Sequence, residues 1–251
     1  MLSGLSGPLT ASPEIFAFAC IAVLAGAIVQ GASGVGLGLV AAPVLVFLDP
    51  HIGPGPLLVL AMLMSAIMLW REHDGLDRGG LALTLTGRVI GSVLAGYAYL
   101  WLSGSWYSLI FGLLILMGVG MSVAGYEVPR THGRLIFAGA CSGVMGTLTS
   151  AGSPAIALVY QKGEGAVVRG TLSAFFFFSS FISLLVLFGT GKFTPAQAIG
   201  SLSLLPALLV GFWISSHIVA RASRNAVRRL VLGVSGASAL MLIVKGVVEL
   251  A

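Results

Sequence analysis

The sequence predicts an all-α integral membrane protein made of two inverted repeats, each a re-entrant, broken helical hairpin followed by three transmembrane helices. Three observations carry this reading. Apolar residues make up 57% of the 251 residues and charged ones only 8%, whereas soluble domains carry about 25% charge. Uncharged runs follow one another from Ile15 almost to the C-terminus. The loop cations, finally, gather on one side of a bilayer only if two of those runs fail to cross it.

In order, the runs are Ile15–Leu48, Ile52–Trp70, Gly79–Leu102 (interrupted by Arg88), Trp106–Tyr126, Leu135–Gln161, Gly170–Gly191, Pro195–Ser216 and Leu230–Val248. Most lie near the roughly 20 residues that cross a bilayer as a helix. Ile15–Leu48 does not. At about 34 residues it would form a helix of about 51 Å, well beyond a hydrocarbon core of about 30 Å. It is interrupted by Gly31-Ala-Ser-Gly34-Val-Gly36-Leu-Gly38, and Leu135–Gln161 is interrupted by the hydroxyl-rich stretch from Ser142 to Pro154. Glycine weakens a helix interior and proline cannot continue one. Each interrupted run is therefore either a hairpin that enters and leaves on one side or a single kinked crossing.

Loop charge decides between these. If every run crosses, Arg71, Arg78, Arg130, Arg134, Lys192 and Lys245 lie on one side, against Lys162, Arg169, Arg221, Arg224, Arg228 and Arg229 on the other. With two hairpins, only Lys192 and Lys245 stand opposite the rest, as the positive-inside rule requires. The chain then reads as one membrane domain over 1–251, with repeats over 15–126 and 135–250. Each repeat crosses an odd number of times, so the halves are inverted, a plan common among secondary transporters. In a bacterial inner membrane both termini would be periplasmic.

The same residues argue against other classes. Excess Lys and Arg report orientation here rather than nucleic-acid binding. Residues 1–13 contain no Lys or Arg, so a cleavable signal is not expected. Cys20 and Cys141 read as small core residues rather than metal ligands or a disulfide. No Gly-x-x-x-x-Gly-Lys-Ser/Thr loop is present for an ATP-driven pump. His51, His73, His132 and His217 fall at run ends, and no acid lies at membrane depth to serve an enzyme as base.

Irregular backbone at membrane depth is tolerated only where protein buries it or it lines a polar cavity. Ser153-Pro154 reads as an N-cap followed by a proline at the first helical position. A helix starting there would aim its N-terminal N–H groups at the membrane centre, where they suit an anion. Gly34 and Gly36 would open the equivalent helix of the first hairpin, with Gln30, Ser33, Thr149, Ser150 and Gly152 as further candidates. Close helix packing is the alternative use of such small residues. Arg88 lies about nine residues into its run, roughly 14 Å deep, where a charge costs about 3 kcal/mol or more. Glu14, Asp49, Glu72, Asp74, Asp77, Glu127, Glu164 and Glu249 all lie in loops or at run ends. Arg88 is thus a candidate anion ligand, unless it bonds hairpin carbonyls or snorkels. On this reading Arg88→Ala would lose anion binding while folding stays near normal. Phe175–Phe178 reads as lipid-facing or packing surface.

Gly31-Ala-Ser-Gly34-Val-Gly36-Leu-Gly38 with Pro43 resembles the first-repeat signature of the sulfite exporter TauE/SafE family. Met145-Gly-Thr147-Leu-Thr149-Ser150-Ala-Gly152-Ser153-Pro154, running on to Gln161, resembles the second, and Val168 to Ser173 is similar to the next family block. Ser153 departs from the glycine more usual before that proline. The resemblance covers essentially the whole chain. It implies transport of sulfur-containing anions, such as sulfite and organosulfonates, across the cytoplasmic membrane, with an anion channel as the alternative. The partners implied are a small anionic substrate and the lipid bilayer, with no cofactor and no nucleic acid; a homo-oligomer is left open. Without a carboxylate at membrane depth, export is expected to follow the membrane potential rather than a proton gradient.

Overall fold

The computed structural model describes residues 13–48, 52–72, 75–102, 104–124, 128–160, 165–217 and 224–250. They form eleven helices: α1 (Pro13–Ser33), α2 (Leu37–Leu48), α3 (Gly55–Arg71), α4 (Arg78–Trp101), α5 (Gly104–Ala124), α6 (His132–Thr149), α7 (Ser153–Val159), α8 (Gly165–Gly189), α9 (Pro195–Leu202), α10 (Leu205–His217) and α11 (Arg224–Leu250). Among the described residues five helices are long and apolar enough to cross a membrane, and a bent pair makes a sixth.

Both interrupted runs break where glycine and proline predict, and both fold back. Between α1 and α2, Gly34 and Gly36 take φ of 82° and 133°. A Cβ on Gly26 would lie 2.9 Å from the Leu37 carbonyl oxygen, although these residues would sit about 16 Å apart in a continuous helix. Between α6 and α7, Ser150 adopts φ 60°, the one positive value at a described non-glycine residue. Arg130, just before α6, and Tyr160, just after α7, both bond Asp77. The α6–α7 pair therefore leaves at the end of the bundle where it enters.

The arms are unequal, which the sequence did not predict. α1 has 21 residues and α2 has 12; α6 has 18 and α7 only 7. No glycine-proline cluster interrupts α1 before Ser33, so that helix reaches the length of a full crossing. The run Pro195–Ser216, read as one crossing, is also divided, with a 49° bend between α9 and α10. Pro206, second in α10, lacks the N–H that would reach the Leu202 carbonyl, and its ring crowds that carbonyl. The intervening turn closes with tighter bonds from Ser203 N to Gly200 O and from Leu204 N to Ser201 O.

Glycine sets the helix packing. α4 lies along α6 so closely that a Cβ on Gly87, Gly91 or Gly139 would overlap a facing backbone carbonyl. α1 lies along α10 in the same manner, with Gly31 against Ser215 and Phe212 and Gly211 against Leu24. α3 packs on α8, and α5 on α11. The two breaks meet at the centre, where a Cβ on Gly38 would overlap the Ser150 carbonyl.

Charge sorts to the ends. At one end Arg169 bonds Glu72 at 3.0 Å, Glu72 also meets Arg71, and Asp77 accepts from Arg130. At the other, Lys192 lies over Tyr99 and Lys245 over Phe47. Trp70, Trp101, Trp106 and Trp213 are exposed near helix ends, and the outer faces of α4, α8 and α11 expose large apolar side chains. Exposed apolar walls with tryptophan at their margins are the surface a bilayer requires.

Candidate functional site

The tips of the two hairpins, α4 and α8 enclose a cavity. Its walls include Gln30, Gly36, Arg88, Ser150, Gly152 and Ser153, all expected from the sequence, with Gly38, Gly146, Leu58, Ala61, Phe176, Ser179 and Ser180. Ser33, Gly34 and Thr149 are not among these residues. Ser33 donates to the Val29 and Val35 carbonyls and so shapes its own turn. Gly34 supplies the left-handed backbone of that turn. Thr149 donates to the Met145 carbonyl and accepts from Ala151 N, so its hydroxyl serves the end of α6.

Arg88 is the one charged residue of the lining and is 2% exposed. Its guanidinium has five N–H groups. Nη1 donates to the Ser142 carbonyl and to Ser142 Oγ at 3.1 Å. Nη2 donates to the Ser179 carbonyl at 3.3 Å and to Ser183 Oγ at 2.6 Å. Nε has no partner. Arg88 thus bonds one hairpin carbonyl, that of Ser142, and also lines the cavity, joining two roles that the sequence left as alternatives. Gly146 and Gly152 lie against the guanidinium where any side chain would collide with it. Among the described residues no carboxylate bonds Arg88.

The hairpin tips differ from the expected pair of bare helix ends. In α2 the Leu37 N–H is already taken by Gln30 Oε1 at 3.1 Å, while Gln30 Nε2 reaches toward Ser65 at 3.5 Å. Gln30 thereby ties the two arms together. In α7 the N-cap is Gly152, without a side-chain cap bond, and Ser153 is the first helical residue. The cap predicted at Ser153 falls one residue earlier because glycine, not serine, holds the non-helical backbone there. Ser150 Oγ donates to the Pro54 carbonyl at 2.8 Å and links the second tip to the start of α3.

Sequence reasoning missed the α8 wall. Ser179 and Ser183 sit one turn apart and flank Arg88, and Thr147 Oγ1 lies 2.8 Å from Ser183 Oγ. The available signal was the need of a buried arginine for oxygen partners, met by serines spaced four apart on one helix face. The phenylalanine run divides. Phe175 is buried, Phe176 lines the cavity and Phe178 faces outward.

Below the cavity, at the end rich in arginine, Asp77 caps α4 through Gly80 N and takes its own N–H to Thr171 Oγ1 at 2.9 Å. Burial, and then the Asp77 carboxylate, pushes the Tyr160 phenol up to about 12, so it remains a donor to Asp77. Arg169, counted among the loop cations, is paired with Glu72.

Comparison with curated proteins and with solved structures gives no match. The sequence model of the sulfite exporter TauE/SafE family matches residues 18–242. With that match spanning most of its length, the chain belongs to this family of membrane transporters.

Proposed function

We propose that this protein is a carrier that exports a small sulfur oxyanion or organosulfonate, bound between the two hairpin tips beside Arg88. The observation that carries the reading is the cavity itself. Among the described residues its lining holds one buried cation, several hydroxyls and no carboxylate. A single guanidinium balances one negative charge, so the favoured ligand is a monoanion, either a sulfonate or singly protonated sulfite. Leu58, Ala61 and Phe176 add an apolar wall suited to a short organic tail.

The inverted repeat belongs to the same proposal. The packing of α4 on α6 has its counterpart in α10 on α1, while α3 meets α8 and α5 meets α11. This is the pattern of contacts that exchanging two equivalent halves would leave unchanged, and it supports alternating access around a central site. The arginine-rich end is then cytoplasmic, in a bacterial inner membrane, with both termini periplasmic. An anion channel is the competing use of the same cavity. Counterflow in liposomes separates them: unlabelled methanesulfonate inside should accelerate entry of labelled methanesulfonate through a carrier. Equal entry with and without internal substrate would mean a channel.

A further inference from the structure

Buried hydroxyls on membrane helices ordinarily donate to a carbonyl one turn back, as Thr84 and Thr149 do here. Ser179 does not. Its Oγ is buried and has no partner, and the residue as a whole is 2% exposed. Five buried side-chain atoms share that condition among the described residues: Arg88 Nε and the hydroxyls of Ser92, Ser173, Ser179 and Ser215. Only Arg88 and Ser179 also line the cavity. They lie on different helices, α4 and α8, and are joined through the Ser179 carbonyl, which accepts from Arg88 Nη2. An unsatisfied buried donor costs about 1–3 kcal/mol, and a site that holds two of them around one cavity regains that cost when a ligand accepts from both.

We propose that Ser179 is a ligand contact that sets specificity. Its hydroxyl and Arg88 Nε–H donate to two oxygens of one –SO3 group, while Ser183 and Thr147 are positioning residues that hold the guanidinium in place. This rests on the carrier reading above and adds the wall on α8. Four of the five arginine N–H groups are held by protein oxygens, so the ligand does not engage a free guanidinium fork. It meets the Nε edge, and a second donor must come from elsewhere. Ser179 is the unused donor beside it. The Ser183 hydroxyl sits between Arg88 Nη2 and Thr147 Oγ1, at 2.6 and 2.8 Å, which fixes the guanidinium plane and so the direction of Nε–H.

The test is direct binding to the purified full-length protein in detergent, with sulfite and methanesulfonate as separate probes and melting temperature measured without ligand. Ser179→Ala should weaken binding roughly tenfold, the scale of a lost hydrogen bond to a charged group, without lowering the melting temperature. Ser179→Cys keeps the shape but donates weakly and should behave alike, while Ser179→Thr retains the hydroxyl and should recover most affinity. Ser92→Ala removes a similarly orphaned hydroxyl outside the cavity and should bind as the parent does. Ser183→Ala should weaken binding, with recovery in Ser183→Thr. Weakening toward one probe alone would assign the contact to that ligand. If the parent binds and Ser179→Ala and Ser179→Cys bind equally well, Ser179 is no contact. If the parent binds neither probe, the carrier reading fails and this proposal falls with it.

Discussion

Arg88 sits on α4 and bonds Ser142 on α6 and Ser183 on α8, so one guanidinium joins three helices. Serine is common in membrane helices and usually satisfies itself, so neither Ser142 nor Ser183 announces that it serves Arg88. The geometry changes what Arg88 substitutions should do. Sequence alone predicts that Arg88→Ala costs binding and spares folding. Since the guanidinium ties α4 to both α6 and α8, Arg88→Ala should also lower stability by about 2 kcal/mol, the cost of stranding buried groups. Arg88→Lys should keep partial binding through its charge but reach only one of the two helices, and so lie between parent and Ala in melting temperature. Thermal unfolding in detergent, read beside ligand affinity, checks both. An unchanged melting temperature in Arg88→Ala would show that these bonds contribute no net stability.

At the scale of helices, the breaks were legible because glycine and proline cluster there, whereas their depth and exact caps depend on backbone angles that composition does not encode. The unequal arms and the bend at Pro206 belong to that second kind. Glycine spacing proves more informative about contact than about disorder. Gly139 faces the Thr84 carbonyl with no room for a methyl group, while a Cβ added to Gly120 on α5 would meet nothing within 4 Å. Gly139→Ala should therefore destabilise the protein by about 1–3 kcal/mol through overpacking. Gly120→Ala should be neutral or gain up to about 1 kcal/mol of helix propensity. The pair is compared by melting temperature at matched detergent concentration. A neutral Gly139→Ala would mean that α4 and α6 do not pack this tightly.

Across the whole molecule, the proposed orientation rests on the loop cations, whose balance favours two hairpins over eight crossings. A cysteine introduced at Lys192 should react with an impermeant reagent in intact cells, and one at Gly133 should not; Gly53, expected on the same side as Lys192, is buried with φ 63° and is a poor reporter. Asp74, Ser103, Gly163 and Ser223, the other informative positions, lie outside the described residues. Labelling of Gly133→Cys from outside would reverse the orientation. The single cation of the cavity predicts a pH signature. Sulfite should bind more tightly as pH falls and its monoanion forms, while methanesulfonate, a monoanion throughout, should show little change. The predicted dependence on potential, about 2.3 kcal/mol per charge per 100 mV, is tested with a potassium–valinomycin gradient: efflux should rise with the potential and respond weakly to a pH gradient alone.

Among its described lining residues the cavity holds a single cation, Arg88. In the proposed exchange of halves the scaffold is doubled and its charge is not. A cage with two facing cations would admit two anions, or one divalent ion, in each cycle; this one has a single counter-charge. The stoichiometry should be one substrate molecule per turnover, with one elementary charge moved for each, and the ratio of membrane current to labelled flux in the same liposomes measures it.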